Sequence, residues 1–321
     1  RSSEVFPPTN TRRRLMRRES FHGAFMAYDH EFLLRVHAPR PTVFEKLLRI
    51  EHLARWFCGW CRIEPKVGGK FQFGGETCLV LPEARGWETT IDEGEPLKKF
   101  AFTWPIRGIE TRVAYDLEDR GTDATLLTVR HLRVPIRDST CGRLQDAWRM
   151  CLGNLKSIAE GRSDSVRPDH SPVATRELRL SNLIEASPER IFTALTNPTQ
   201  ADHWSTGGVP RGKARVELRA GGAYSLGWDE GPDRILEFER DRRVVLRWPR
   251  EKGDLQVAFG LEPKSSGTAI YLTSTGYGDG EQAEILYHRG GWSDLLVCLK
   301  NFVESDDAGF ENGYEAQVRA V

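Results

Sequence analysis

The chain has 321 residues, with 46 Lys and Arg against 46 Asp and Glu, so its formal charge at neutral pH is zero. This balance argues against a general electrostatic attraction to nucleic acid or to an anionic membrane surface, and we expect neither partner. No stretch approaches the roughly 20 consecutive apolar residues of a membrane-spanning helix, and the N-terminus lacks the apolar core of a secretory signal.

Residues 1–28 are predicted to form a basic tail. Five arginines fall within 11–18, and runs of like charge are usually solvated. An arm that binds nucleic acid or a protein partner is the alternative interpretation of this run.

Residues 29–161 are predicted to form the first domain. His30–His37 alternates apolar and polar residues as a half-buried strand does, and Pro39 and Pro41 end this strand and open a helix. A second short helix ends at Trp56, and a long helix carries an apolar stripe that includes Trp148. Between these helices we predict strands near 61–66, 69–74, 85–93, 98–104, 109–118 and 123–132.

The composition of residues 162–175 predicts an irregular linker, and residues 176–305 repeat the plan as a second domain. This domain is predicted to contain a strand at 176–185, helices at 188–196 and up to Trp204, strands to about 275 and a terminal helix. Residues 306–321 are expected to be a frayed tail.

The repeat is visible residue by residue. Phe44 and Phe192 are 148 residues apart, as are Trp56 and Trp204. Repeat units of solenoids run to about 20–50 residues, so this period is that of a whole domain. The chain is therefore expected to be two copies of one fold.

The motifs of the second copy resemble the START-related (Bet v 1-like) SRPBCC superfamily, with the activator of heat-shock protein 90 ATPase homologue family as the nearest branch. The motifs are Ala186–Pro198, Ala220–Tyr224, Leu246–Trp248 and Gly290–Leu296. The resemblance implies an α+β fold of two tandem helix-grip domains. In each, a curved antiparallel sheet would wrap around a long C-terminal helix, with two short helices after the first strand.

A helix-grip domain implies a hollow between its sheet and its helix, and related domains bind sterols, lipids, polyketides or aromatic metabolites there. We place Trp148 and Trp292 at the start of the two long helices, facing the sheets. His131 and Arg133 are predicted to share one strand face, since side chains alternate with a period of two. Each aromatic candidate is either core packing or a pocket wall. The candidate pocket residues are Trp56, Trp104, Tyr115, His131, Arg133, Trp148, Trp204, Trp248, Tyr271, Tyr287, His288 and Trp292.

The sequence Cys58-Gly59-Trp60-Cys61 allows three interpretations. It can be a redox dithiol, half of a zinc site, or two ordinary buried thiols. A strand is predicted after it, where a thioredoxin-like pair begins a helix, so ordinary thiols are favoured. We expect no metal and no cofactor. Five of the six cysteines lie in the first copy, and a disulfide framework would recur with the repeat. Reduced thiols and a cytoplasmic location are expected.

Three functions are compatible with these features. The leading hypothesis is a binding protein for a hydrophobic or aromatic small molecule, with one or both cavities in use. The second is an enzyme of the cyclase, aromatase or hydrolase kind, with His131, Tyr115 or Tyr287 in acid–base roles. The third is a chaperone-regulating module that binds a protein partner. Because the inner faces of the copies differ, we also predict that the two domains are not equivalent.

Overall fold

A computed structural model describes residues 26–82 and 84–321 of the chain, and the basic run at 11–18 lies outside these residues. The first domain contains the elements β1 (Tyr28–Val36), α1 (Arg40–Leu48), α2 (Ile50–Trp56), β2 (Trp60–Ile63), β3 (Lys70–Gly74), β4 (Trp87–Glu95), β5 (Lys99–Ile106), β6 (Ile109–Asp119), β7 (Thr125–Val134), β8 (Asp138–Ser139), β9 (Gly142–Arg143) and α3 (Leu144–Ala159).

The first sheet is antiparallel and is built from consecutive strands. From β2 to β7 each strand pairs with the next in the chain, and β1 then joins beside β7. β1 buries Phe32, Leu34 and Val36 on one face, as its alternation predicts. Pro41 occupies the first turn of α1, where a missing backbone N–H has no cost.

The second domain repeats this plan with shorter strands. Its elements are β10 (Leu178–Ile184), α4 (Pro188–Thr196), α5 (Pro198–Ser205), β11 (Arg215–Val216), β12 (Tyr224–Ser225), β13 (Arg234–Glu239), β14 (Arg243–Trp248), β15 (Leu255–Lys264), β16 (Gly267–Thr275) and α6 (Gln282–Ser305). The main sheet has the order β10-β16-β15-β14-β13, and β11 pairs with β12. The predicted α+β fold of two tandem helix-grip domains is thereby confirmed.

The long helix α6 begins well before Trp292, so the prediction that Trp292 lies at the start of its helix is wrong. Gly290 and Gly291, the two residues before Trp292, also lie inside it. A Cβ on Gly290 would lie 2.3 Å from the carbonyl oxygen of Cys141. Glycine is therefore needed there because α6 closely approaches the β8–β9 hairpin. Among the helices of the described residues, none is long and apolar enough to cross a membrane.

The two long helices pack against each other and join the domains. Arg149 Nε donates to Asp294 Oδ2 at 2.7 Å, and Ser157 Oγ lies 2.9 Å from Asn301 Oδ1. All sixteen residues of α3 are buried, because its sheet covers one side and α6 the other. The domains therefore share one continuous core.

The C-terminal segment 306–321 is part of the first domain, so the prediction of a frayed tail is wrong. Arg35 N donates to Gly309 O, and Glu311 N donates to Leu33 O, both at 2.8 Å. After a 3₁₀ turn, β17 (Val318–Ala320) pairs with β1. The polar composition of the segment hides this role, because backbone hydrogen bonds along the edge of β1 hold it together with only two buried apolar residues, Ala308 and Phe310.

Candidate functional site

Aromatic side chains fill the concave face of the first domain around His131. The ring of His131 stacks on Trp104 with 5.3 Å between centroids. Its Nδ1 accepts from Trp148 Nε1 at 3.1 Å, and its Nε2 lies 2.8 Å from Thr111 Oγ1. Burial lowers the pKa of His131 well below its usual range, so the ring is neutral. Both nitrogens have partners within the core, and neither is left to bind a ligand.

The rest of this face is packed in the same way. Tyr115 stacks on Phe100 at 5.9 Å and meets Trp56 edge-on at 6.3 Å. Burial raises the pKa of Tyr115. The surrounding core includes Phe57, Phe71, Phe73, Trp87 and Phe102. The hollow that the resemblance implied is occupied by protein side chains at these residues.

Trp56 and Trp204 occupy equivalent positions with equivalent hydrogen bonds. Trp56 Nε1 donates to the carbonyl oxygen of Lys46 at 3.0 Å, and Trp204 Nε1 donates to that of Ala194 at 2.8 Å. Each tryptophan therefore ties the second short helix of its domain to the first.

Arg133 does not share a face with His131, and that prediction is wrong. Arg133 has φ near 60°, and the pairing of β7 with β1 shifts register at this point. Such a bulge breaks the alternation of side chains. Arg133 is exposed as a result, and Val134 is buried.

Tyr271 and Tyr287 both lie away from the interior of the second domain. Tyr271 is on the outer face of β16, where its hydroxyl donates to Glu262 Oε2 at 3.0 Å. It borders an external groove of about 540 Å³ between the linker and β10. The ring of Tyr287 lies 4.9 Å from the guanidinium carbon of Arg143 in the first domain, at the junction between the domains.

Trp248, His288 and Trp292 come together inside the second domain. The ring centroids of Trp248 and His288 are 4.8 Å apart, and those of Trp248 and Trp292 are 6.0 Å apart. His288 Nδ1 lies 2.8 Å from the hydroxyl of Tyr277, which in turn lies 3.1 Å from Ser274 Oγ. Burial lowers the pKa of His288 to about 4, so the ring is neutral at pH 7.

Ser274 occupies the position in the second domain that His131 has in the first. Thr125 Oγ1 donates to Ala38 O, and Thr268 Oγ1 donates to Ala186 O. These matching bonds align β7 with β16, and six residues onward the alignment pairs His131 with Ser274. The second domain thus has a hydroxymethyl group where the first has an imidazole.

This difference changes the environment of the helix tryptophan. Trp148 Nε1 has His131 as its acceptor, whereas Trp292 Nε1 is buried with no hydrogen-bond partner among the described residues. Trp104 Nε1 also lacks a partner, so a free indole N–H alone does not distinguish the domains.

A pocket of about 400 Å³ opens beside this cluster. Its walls combine Tyr224, Trp228 and Pro249 with the charged residues Arg215, Asp229, Glu230 and Asp233. The ring of Trp228 lies 6.0 Å from that of Trp292. Trp228 therefore separates the pocket from the free indole N–H.

Sequence reasoning missed Trp228 and Ser274. Trp228 has no counterpart in the repeat pattern. The replacement of His131 by Ser274 was detectable by aligning the two copies along β7 and β16. Within the described residues, no group of three or more His, Cys, Asp or Glu side chains is placed to hold a metal ion.

Comparison with solved structures gives distant matches. DynU16, a protein in the dynemicin biosynthetic locus, is 19% identical, with 86% of this chain and 98% of that chain covered and a TM-score of 0.35. MLL2253 from Mesorhizobium loti is 20% identical over 41% of this chain and 99% of its own, with a TM-score of 0.36. CV1439 from Chromobacterium violaceum is 26% identical over 41% and 99%, with a TM-score of 0.33. No curated protein matches the chain.

The family comparison matches each of the two domains. The profile of the family described as "Activator of Hsp90 ATPase homolog 1-like protein" matches residues 37–160 and again residues 185–304. These ranges cover most of both helix-grip domains. The chain therefore belongs to the activator of Hsp90 ATPase homolog 1-like family and contains the family's domain twice.

Proposed function

We propose that the second domain binds a small hydrophobic or aromatic molecule in the pocket bounded by Trp228, and that the first domain supports it structurally. The observation that carries this proposal is that the second domain has Ser274 at the position where the first domain has His131. In the first domain the imidazole fills the space beside the helix tryptophan and accepts its N–H. In the second domain that donor is buried and has no partner in the part of the chain that the structure describes.

The cost of an unpaired buried donor supports a ligand that pairs with it. Burying an unsatisfied polar group costs about 1–3 kcal/mol, and a ligand acceptor beside Trp292 Nε1 would recover much of this. Because Trp228 lies between the pocket and Trp292, its ring has to move aside for that contact. Ligand binding is therefore expected to displace Trp228.

The walls of the site define the ligand's chemistry. Trp228 offers a flat apolar face in the pocket wall, which suits a ring system, and Trp292 lies behind it. Arg215, Asp229 and Glu230 are polar groups of the wall that would orient the ligand, and Trp292 Nε1 would join them once Trp228 has moved. The proposed ligand is a planar molecule with an aromatic ring, polar substituents and at least one oxygen acceptor, small enough for a volume of about 400 Å³.

The chain of hydrogen bonds from Ser274 through Tyr277 to His288 favours catalysis as the second candidate function. Such a chain fixes the orientation and tautomer of an imidazole, as in a general base. However, burial lowers the pKa of His288 to about 4, which makes it a weak base at neutral pH. Binding without turnover is the better-supported function. The cysteines are all unpaired, which supports our placement of the protein in the reducing cytoplasm.

The test uses 2-naphthol as an aromatic probe and measures its binding by calorimetry. The variant Ser274→His restores the first domain's residue, and we expect it to weaken binding tenfold or more, or about 1.4 kcal/mol. Tyr271→His is the matched control because it places the same residue on the outer face of the same strand. This control should bind as the parent protein does.

One site per chain is the expected stoichiometry. Two equal sites, or full binding by Ser274→His with an unchanged melting temperature, would refute the proposal. Stimulation of the ATPase of heat-shock protein 90 by a protein that binds no probe would instead favour the chaperone-regulating alternative.

A further inference from the structure

The two domains differ at the sheet edge that is formed by the first strand of each. In the first domain, the C-terminal segment covers the outer edge of β1, and β17 pairs with it there. β10 is the equivalent strand of the second domain, and its only strand neighbour among the described residues is β16. The backbone of β10 is therefore open on one side, and an open edge of this kind can pair with another strand.

The first domain identifies which groups of β10 face outward. Leu33 lies opposite Thr128, and both its N–H and its C=O bond to the C-terminal segment. Ser181 lies opposite Tyr271 in the second sheet. Thr128 and Tyr271 each follow by three residues the threonines that align β7 with β16, so Ser181 is the counterpart of Leu33. Across this edge, nothing in the described part of the chain bonds to the backbone of Ser181 or of Leu183, two residues on.

The linker passes this edge without closing it. Ser165 Oγ accepts from Asn182 Nδ2 at 2.6 Å, on the face of β10 that is turned toward α6. The carbonyl oxygen of the next linker residue, Val166, accepts from Asn154 of α3 at 2.9 Å, which draws the linker toward the helices. The external groove of about 540 Å³ lies between the linker and β10. The outward backbone groups therefore remain accessible.

The charges on β10 favour a second copy of this chain as the occupant of the edge. Arg179 and Glu185 lie on the exposed face of the strand, three residues to either side of Asn182. When two copies pair antiparallel with Asn182 on the two-fold axis, Arg179 faces the partner's Glu185 at both ends. Opposite charges directly across an antiparallel pair stabilise it. A two-fold interface requires a surface that is complementary to itself, and β10 has this property.

The present contacts of these charges do not prevent such pairing. Arg179 forms an ion pair with Glu177 at 2.7 Å, and Glu185 Oε1 accepts from Ser163 Oγ at 2.8 Å. The ion pair lies at the surface, where such pairs contribute little to stability. Leu183 lines the groove beside these charges and is 39% exposed. Association would cover this apolar side chain.

We propose that two copies of this chain associate through β10 and join their five-stranded sheets into one continuous antiparallel sheet. The outward backbone groups of Ser181 bond to those of the partner's Leu183, and Arg179 pairs with the partner's Glu185. The pocket bounded by Trp228 lies beside β12 and β13, at the opposite end of the sheet order. Association through β10 leaves this pocket open, so this proposal and the proposed ligand binding can fail independently.

Sedimentation velocity of the full chain over a series of concentrations tests the association, and we expect a monomer–dimer equilibrium. Arg179→Glu places like charges opposite each other at both ends of the paired strands, so it should raise the dissociation constant about tenfold or more. Glu185→Arg should have the same effect, and the double variant Arg179→Glu/Glu185→Arg should restore association. Arg234→Glu is the matched control, because Arg234 is an exposed arginine of β13, the other edge strand of the sheet. This control should associate as the parent protein does.

Hydrogen exchange of the peptide that spans β10 shows what covers the edge. The amides of Ser181 and Leu183 should become protected as the dimer forms, and they should stay unprotected in Arg179→Glu. A chain that is monomeric at all concentrations overturns the proposal, and protected amides in that monomer would show that another segment of the same chain covers β10. A dimer that neither charge variant weakens uses a different interface and overturns the proposal as well. Circular dichroism verifies that each variant is folded.

Discussion

The packing of α3 on α6 makes a quantitative prediction about two helical glycines. A Cβ at Gly153 would lie 2.4 Å from Val297 Cγ1 and 3.2 Å from Asn301 Nδ2. A Cβ at Gly291 would meet only Asp146 Oδ2, at 3.9 Å, which is an ordinary contact. The two substitutions Gly153→Ala and Gly291→Ala therefore change the same kind of residue in opposite packing environments.

The expected magnitudes follow from two effects. Replacing glycine by alanine inside a helix stabilises it by about 1 kcal/mol, and this gain applies to both variants. Overpacking a core costs about 1–3 kcal/mol, and this cost applies only to Gly153→Ala. The free energy of unfolding should rise by about 1 kcal/mol in Gly291→Ala, and it should be about 1–3 kcal/mol lower in Gly153→Ala than in Gly291→Ala.

Urea unfolding followed by tryptophan fluorescence measures this difference. In a double-mutant cycle, Val297→Ala removes the methyl group that meets the new Cβ, so it should rescue Gly153→Ala by about 1 kcal/mol or more. Equal stability of Gly153→Ala and Gly291→Ala, or no coupling with Val297, would refute the close approach of the helices.

Three further predictions concern charge, the C-terminal segment and metal. Burial raises the pKa of Asp146 to about 7, so the folded state retains a proton that the unfolded chain releases near pH 4. The free energy of unfolding should therefore fall as the pH rises from about 4 to about 7. The urea midpoint should fall less over this range in Asp146→Asn, and an equal fall in both proteins would show that the carboxyl is ionised throughout. A chain ending at Ser305 leaves the edge of β1 unpaired and should unfold at lower urea and self-associate in sedimentation; an equally stable monomer would contradict this. Elemental analysis should find no stoichiometric zinc, and about one zinc per chain would overturn that expectation.

The sequence predicted the repeat and the element order because the apolar periodicity and the turn residues are local features. The bulge at Arg133 was not predictable from a period of two, since it depends on the register between β7 and β1. The early start of α6 was hidden by Gly290 and Gly291, because glycines normally interrupt helices. Of the two, only Gly290 is required here, by its contact with Cys141.

The candidate site was predicted in part. Trp248, His288 and Trp292 were among the candidates predicted from the sequence, and the fold brings them together. The sequence did not show which domain contains the site, because aromatic residues are about equally abundant in both. Whether aromatic side chains fill a space or surround one depends on their packing, and composition does not determine this.

The way the segment 306–321 crosses to the other domain has an evolutionary consequence. A gene divided between the two copies would encode a first protein without its last strand and a second without the neighbour that shields its central helix. With this segment bound to the first domain, loss of either half would leave the other without some of its packing partners. Mutations that enlarge a cavity in one domain can then be tolerated, because the well-packed core of the other domain keeps the two-domain protein folded.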